Sequence, residues 1–124
     1  MKILLDRNFI LSCVKQKIDF LEELFFLGYG ILIPKQVFLE LDNISKSKQK
    51  HYFRNNAALA LKILKNAEGS FDDVNLKDNN VDRGIEKFAK LNKGVIIATL
   101  DEELKKKIPN KKLVIRGKKK LEII

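Results

Sequence analysis

The chain has 124 residues, 45% of them hydrophobic, with 25 Lys and Arg against 16 Asp and Glu and a formal net charge of +9. That length suits one domain, residues 1–124, able to bury a core without a disulfide or metal, and Cys13 alone excludes an internal disulfide or a cysteine zinc cluster. Its apolar runs fall far short of the ~20 residues that cross a bilayer, and Asp6 interrupts the opening run where a signal peptide would continue. A soluble, cytoplasmic protein without a membrane partner is therefore expected.

Ile3-Leu4-Leu5 has the pattern of a buried strand and ends at Asp6. Phe9 to Phe26 is apolar at helical spacing, with Asp19, Glu22 and Glu23 outward, which predicts two short helices. Gly28-Tyr29-Gly30 breaks the pattern, Ile31 to Ile33 predicts a second strand, and Pro34 suits the first turn of a helix. That helix carries Val37, Phe38 and Leu41 with Glu40 beside them. Ser45 to Asn56 is polar and basic and merges into an apolar-periodic helix from Ala57 to Leu64, ended by Gly69. Phe71 to Asn80 reads as an acidic loop with room for a short strand around Val74.

Asp82 to Leu91 predicts a helix with Ile85, Phe88 and Ala89 inward, and Gly94 terminates it. Val95 to Leu100 is the clearest strand, followed at once by Asp101. Glu102 to Ile108 places acids first and lysines last, matching a helix dipole, and Pro109 stops it. Leu113 to Ile115 and Leu121 to Ile124 are strand candidates around a basic turn. Apolar strands alternating with amphipathic helices predict a three-layer α/β/α fold with a mainly parallel central sheet of four to five strands.

The positive charge is localised. Lys46, Lys48, Lys50 and Arg54 lie in a segment without acids, and Asp101 to Ile124 holds nine Lys and Arg, among them Arg116, Lys118, Lys119 and Lys120, against four acids. Together these two segments account for the whole excess, the pattern of a polyanion-binding surface. Other chemistry is thin. His51 is the only histidine, which excludes a histidine pair as acid and base. Cys13 reads as core packing, no glycine-rich phosphate loop is present, and Tyr52-Phe53 offers either base stacking or, for Phe53, core packing.

Ligands of open parallel sheets bind at the carboxyl ends of the strands. Asp6 and Asp101 each follow a strand there, Glu40 lies on the helix after the second strand, and Asp82 opens a later helix. Helix capping accounts for Asp82 or Asp101 taken singly, and an ordinary solvated position accounts for Glu40. Asp6, with no helical pattern directly behind it, is not explained that way.

The four segments resemble the PIN-domain nucleases. Ile3-Leu4-Leu5-Asp6-Arg7-Asn8-Phe9 is similar to the family's opening strand and D-x-N, and Ile33-Pro34 with Val37-Phe38-Leu39-Glu40-Leu41 to its V-x-x-E-L helix. Val81-Asp82-Arg83-Gly84-Ile85 looks like its D-x-x-I, and Ala98-Thr99-Leu100-Asp101 with Leu104-Lys105 like its A-T-x-D-x-x-L-K. Two positions depart. Leu100 stands where Asn is common, and Gly84, often Ala in relatives, is expected to cost helix stability.

The resemblance implies that Asp6, Glu40, Asp82 and Asp101 form a catalytic carboxylate cluster for Mg²⁺ or Mn²⁺, with Asn8 and Thr99 orienting the acids. It implies an endoribonuclease acting on RNA held by the basic segments, of a small archaeal type similar to eukaryotic ribosomal-RNA-processing PIN nucleases. A homodimer is open to such a chain. The alternatives are a toxin-type ribonuclease controlled by an antitoxin-like protein partner, and a non-catalytic RNA-binding or ribosome-assembly protein of the same fold.

Overall fold

The computed structural model describes residues 1–124. In chain order the elements are β1 (Lys2–Leu5), α1 (Arg7–Gln16), α2 (Phe20–Phe26), β2 (Gly30–Pro34), α3 (Lys35–Ser45) and α4 (His51–Asn66), followed by β3 (Asp72–Val74), α5 (Val81–Leu91), β4 (Ile96–Ala98), α6 (Glu102–Lys107), β5 (Lys112–Arg116) and β6 (Lys120–Ile123). The strands form one sheet in the order β3-β2-β1-β4-β5-β6. Every pairing is parallel except β5 with β6.

Strand alternation builds two cores. Ile3, Leu5, Ile31, Ile33, Ile96 and Ala98 face the layer of α1 to α4. Leu4, Leu32 and Ile97, the residues between them, face α5 and α6 through Ile85, Ala89 and Leu104. Central strands buried on both faces read as unbroken apolar runs, which is why β1, β2 and β4 are so plain in the sequence. No helix is long and apolar enough to cross a membrane.

The sheet has six strands rather than four to five. The sixth is β3, a three-residue edge strand of sequence Asp72-Asp73-Val74. It lies where the sequence leaves room for a short strand around Val74 but is too short and polar to carry a full strand pattern. Helix α4 starts at His51, six residues before its apolar stripe, because His51, Tyr52, Phe53 and Asn55 are exposed. Strand β4 is confined to Ile96–Ala98, so Thr99 and Leu100 have left the ladder and turn toward Asp101.

Candidate active site

The strand order changes direction at β1: β2 and β3 lie on one side of it, β4 to β6 on the other. A crevice opens at such a switch point, outside the carboxyl ends of the strands. Asp6 leaves β1 there, while Thr99 and Asp101 leave β4. Helices α3 and α5 follow the parallel strands β2 and β3, so they start from the same edge.

Asp6 is the N-cap of α1, which begins at Arg7. The sequence shows no helical pattern directly after Asp6 because Arg7 and Asn8 are polar and the first buried residues are Phe9 and Ile10. The Arg7 N–H donates to Asp6 Oδ1 at 2.7 Å, and the Thr99 hydroxyl donates to Oδ2 at 3.1 Å. Thr99, fully buried, also accepts the Asp101 N–H at 3.1 Å. One hydroxyl therefore ties the ends of β1 and β4 together. Asp101 is the N-cap of α6, its Oδ1 accepting from Glu103 N at 2.9 Å and Leu104 N at 3.2 Å. Capping is real at both aspartates, and at Asp101 it engages only one of the two carboxylate oxygens.

Glu40, on α3, accepts a hydrogen bond from Arg7 Nη1 at 2.9 Å, in a half-buried ion pair. Asp82 sits in the first turn of α5, where Asn80 rather than Asp82 is the cap, its Oδ1 accepting from Arg83 N at 3.1 Å. Asp82 is thus released from capping. It borders two adjoining clefts, one shared with Arg7 and Glu40 and the other with Asp101.

Electrostatics link three of the acids. Burial raises the Asp6 carboxyl above its ordinary value, against its hydrogen bonds from Arg7 N–H and Thr99, and the Asp82 charge adds to the rise. Burial also raises Glu40; Arg7 opposes this while Asp6 and Asp82 reinforce it. Asp101 joins them through Thr99 and through its cleft with Asp82. No three of these side chains close on one point as ion ligands. Glu40 is instead held in its ion pair with Arg7.

Asn8 does not reach an acid; its Oδ1 accepts from Arg7 Nε at 3.3 Å, so it supports Arg7 instead. Arg7 is the residue sequence reasoning missed, although a cation directly after a strand-ending aspartate is a visible signal. Leu100 packs against the larger core. Cys13 is buried, its thiol pushed up to about 12 by burial, and is inert. His51 is exposed on α4 and meets only Asn55.

Of the basic candidates, Lys48, Lys50, Lys118, Lys119 and Lys120 are exposed. Lys46 is paired with Asp42 and Arg116 with Glu122. Arg54 is half-buried, its Nε without a partner. Because β5 runs parallel to β4, the turn after Arg116 lies at the same sheet edge as Asp6 and Asp101.

Residues 3–119 match the family described as a PIN like domain. The chain belongs to the PIN-like domain family. It is 34% identical over 129 aligned positions to a protein named Ribonuclease VapC4 of Methanocaldococcus jannaschii, an alignment covering 98% of this chain and 95% of that one. Its fold is similar to the solved PIN domain endonuclease Utp24, with a TM-score of 0.78 and 24% identity over 98% of this chain and 90% of that one. The likeness to Utp24 carries the PIN fold alone.

Proposed function

We propose that this chain is a metal-dependent endoribonuclease in which Asp6, Glu40, Asp82 and Asp101 hold Mg²⁺ or Mn²⁺ and the exposed lysines hold RNA. One observation carries the reading: Asp6, 5% exposed, sits within the fields of Asp82 and Glu40, with a single arginine as local countercharge. A buried carboxylate beside half-buried Glu40 and exposed Asp82 costs stability, and an all-oxygen set fits a hard divalent cation. The name of the M. jannaschii relative supports ribonuclease activity.

Such an ion, when bound, polarises a phosphodiester and lowers the pKa of an attacking water. The chain's own residues do the rest. Thr99 fixes the Asp6 carboxylate by donating to Oδ2. Asp101 keeps Oδ2 free of its cap, and Asn80 frees Asp82. Arg7 holds Glu40 through Nη1 and retains further N–H groups for a phosphate oxygen. The lysines are phosphate contacts, since an ammonium has no lone pair for a cation.

Ribosomal RNA processing is the role this reading favours, on the lysine-rich Asp101–Lys107 and Arg116–Lys120 segments, with the cytoplasm as its location. The deciding experiment is cleavage of a mixed RNA pool with Mn²⁺, Mg²⁺ or EDTA by the wild type and by Asp6→Asn. Cleavage that needs metal and Asp6 supports the reading, and cleavage by Asp6→Asn at the wild-type rate defeats it. A toxin-type enzyme restrained by a protein partner is a second reading, favoured by Phe25, Phe26 and Leu27, which are 75%, 78% and 61% exposed at the end of α2. Growth arrest on expression, relieved by co-expressing a neighbouring small gene, would select it.

A further inference from the structure

Beside the acid clefts, between α1 and the start of α4, runs a groove of about 440 Å³. Its lining includes Arg7, Ser12, Lys15, Tyr52, Phe53 and Asn56, and no acidic residue. Tyr52 and Phe53 are 47% and 49% exposed, so neither ring is spent on the core. They meet edge to face with centroids 5.3 Å apart, and the Lys15 ammonium lies over the Tyr52 ring, 5.7 Å from its centre. Arg7 lines both this groove and the cleft of Glu40 and Asp82, so the two adjoin at its side chain.

A half-exposed tyrosine ring already in contact with a cation, with amide and hydroxyl groups in the same groove, is complementary to a flat π-system carrying hydrogen-bonding edges on an anionic backbone, whose phosphate competes for the Lys15 ammonium. We propose that this groove is a subsite for one unpaired nucleobase of a single-stranded RNA, stacked on Tyr52, with the adjoining phosphate toward Arg7 and Lys15. Asn56 and Ser12, in the same lining, offer an amide and a hydroxyl to the base edge, the Ser12 oxygen already accepting from Gln16 Nε2 at 2.9 Å. The inference rests on the ribonuclease reading and deepens it, because it assigns a groove outside the acid clefts, and Tyr52 within it, to one base of the bound strand. A protein segment is the competing occupant. Positive lining and the position next to the acid clefts, with Arg7 shared between them, favour the base.

The test uses the full chain in EDTA, so that binding is measured without cleavage. A fluorescein-labelled single-stranded RNA octamer, and a series carrying one abasic nucleotide at each position, are titrated against the wild type, Tyr52→Ala, Tyr52→Leu and Tyr52→Phe. Loss of one stacked base weakens binding about fivefold or more. Tyr52→Ala and Tyr52→Leu should both show that loss, while Tyr52→Phe keeps wild-type affinity. One abasic position should cost the wild type as much and cost Tyr52→Leu nothing further. Wild-type affinity in Tyr52→Leu, or an abasic penalty undiminished in it, overturns the subsite and leaves the groove to a protein partner. Cleavage separates the two readings. If Asp6→Asn is inactive while Tyr52→Leu binds and cleaves as wild type, only the subsite fails. If Asp6→Asn cleaves normally, the ribonuclease site fails whatever Tyr52 does.

Discussion

Asp6 has two roles that pull its ionisation in opposite directions. As a helix cap it accepts an N–H bond that favours the carboxylate, and burial, with the nearby Asp82 charge, opposes this more strongly, so that its carboxyl is raised above the ordinary value. A carboxyl raised in the folded state binds its proton more tightly folded than unfolded. Stability therefore falls as pH rises from the ordinary value of 3.8 through the raised folded value, and the penalty is complete above it. Asp6→Asn keeps the cap oxygen and removes the charge. It should melt higher than wild type at neutral pH without metal, with the difference vanishing below about pH 3.8, and it should lose the stabilisation by Mn²⁺ that wild type shows. Thermal melts across pH, with and without Mn²⁺, check this; equal melting temperatures at neutral pH would remove the argument for a repulsive cluster. RNA cleavage by the variant should fall by more than the roughly 10- to 100-fold that loss of a supporting group costs.

Thr99 makes a complementary case. Its hydroxyl is buried between Asp6 Oδ2 and the Asp101 N–H, so Thr99→Val leaves both without that partner while keeping the volume. About 1–3 kcal/mol of stability should be lost in a denaturant titration. Activity should fall with it, since Asp6 is then free to turn. Thr99→Ser, retaining the hydroxyl, should recover most of the activity, and a failure to do so would mean the methyl packing matters more than the hydrogen bonds.

At the scale of elements, the start of α5 is held by a clasp that sequence patterning did not show. Asp78 accepts from Arg83 Nε at 2.7 Å and Nη2 at 2.8 Å, and from Asn80 N at 2.9 Å. Arg83 holds the Asp78 carboxyl well below the usual carboxylate range. These bonds anchor the turn that presents Asp82. Gly84 belongs to the same device. It lies inside the helix, where Ala is intrinsically better by about 1 kcal/mol, but a Cβ there would meet Leu76 Cβ at 2.9 Å and Asp78 Cβ at 3.3 Å. The glycine is a close-packing residue, and the helix cost expected from the sequence is exchanged for contact with the 76–78 turn. Overpacking costs about 1–3 kcal/mol, so Gly84→Ala should be net destabilising by roughly 1 kcal/mol. A higher midpoint of urea unfolding in that variant would show that the turn yields freely.

At the scale of the whole molecule, the topology makes one edge of the sheet both acidic and basic. The carboxyl ends of β1 and β4 carry the acids, and the parallel run of β5 puts the Lys118–Lys120 turn on that same edge, beyond β4. Replacing Lys118, Lys119 and Lys120 together by Gln should weaken RNA binding and raise KM with little change in kcat, the signature of lost uniform binding. The salt dependence of log K should flatten by about 0.7 for each single-strand phosphate contact removed. Unchanged affinity and slope would mean that these lysines only keep the turn solvated and that RNA leaves the acid clefts by another path.

The sequence alone determined what local chemistry controls. Doubly buried strands read as unbroken apolar runs, amphipathic helices showed their stripes at Val37 and Leu41 or Ile85 and Ala89, and strand-ending aspartates announced the carboxyl edge. Where a stretch lacks a buried stripe the pattern failed, as for the first turns of α4, or left only room for an element, as for the polar edge strand β3 around Val74. Which residues meet across long separations was decided only by the tertiary structure. Thr99 reaches Asp6 over 93 positions and Arg7 reaches Glu40 over 33, and no periodicity encodes either pairing. The raised carboxyls of Asp6 and Glu40 likewise follow from burial and from neighbours brought together by the strand order. Proton affinity depends on distance and solvent access, which exist only once the chain has folded.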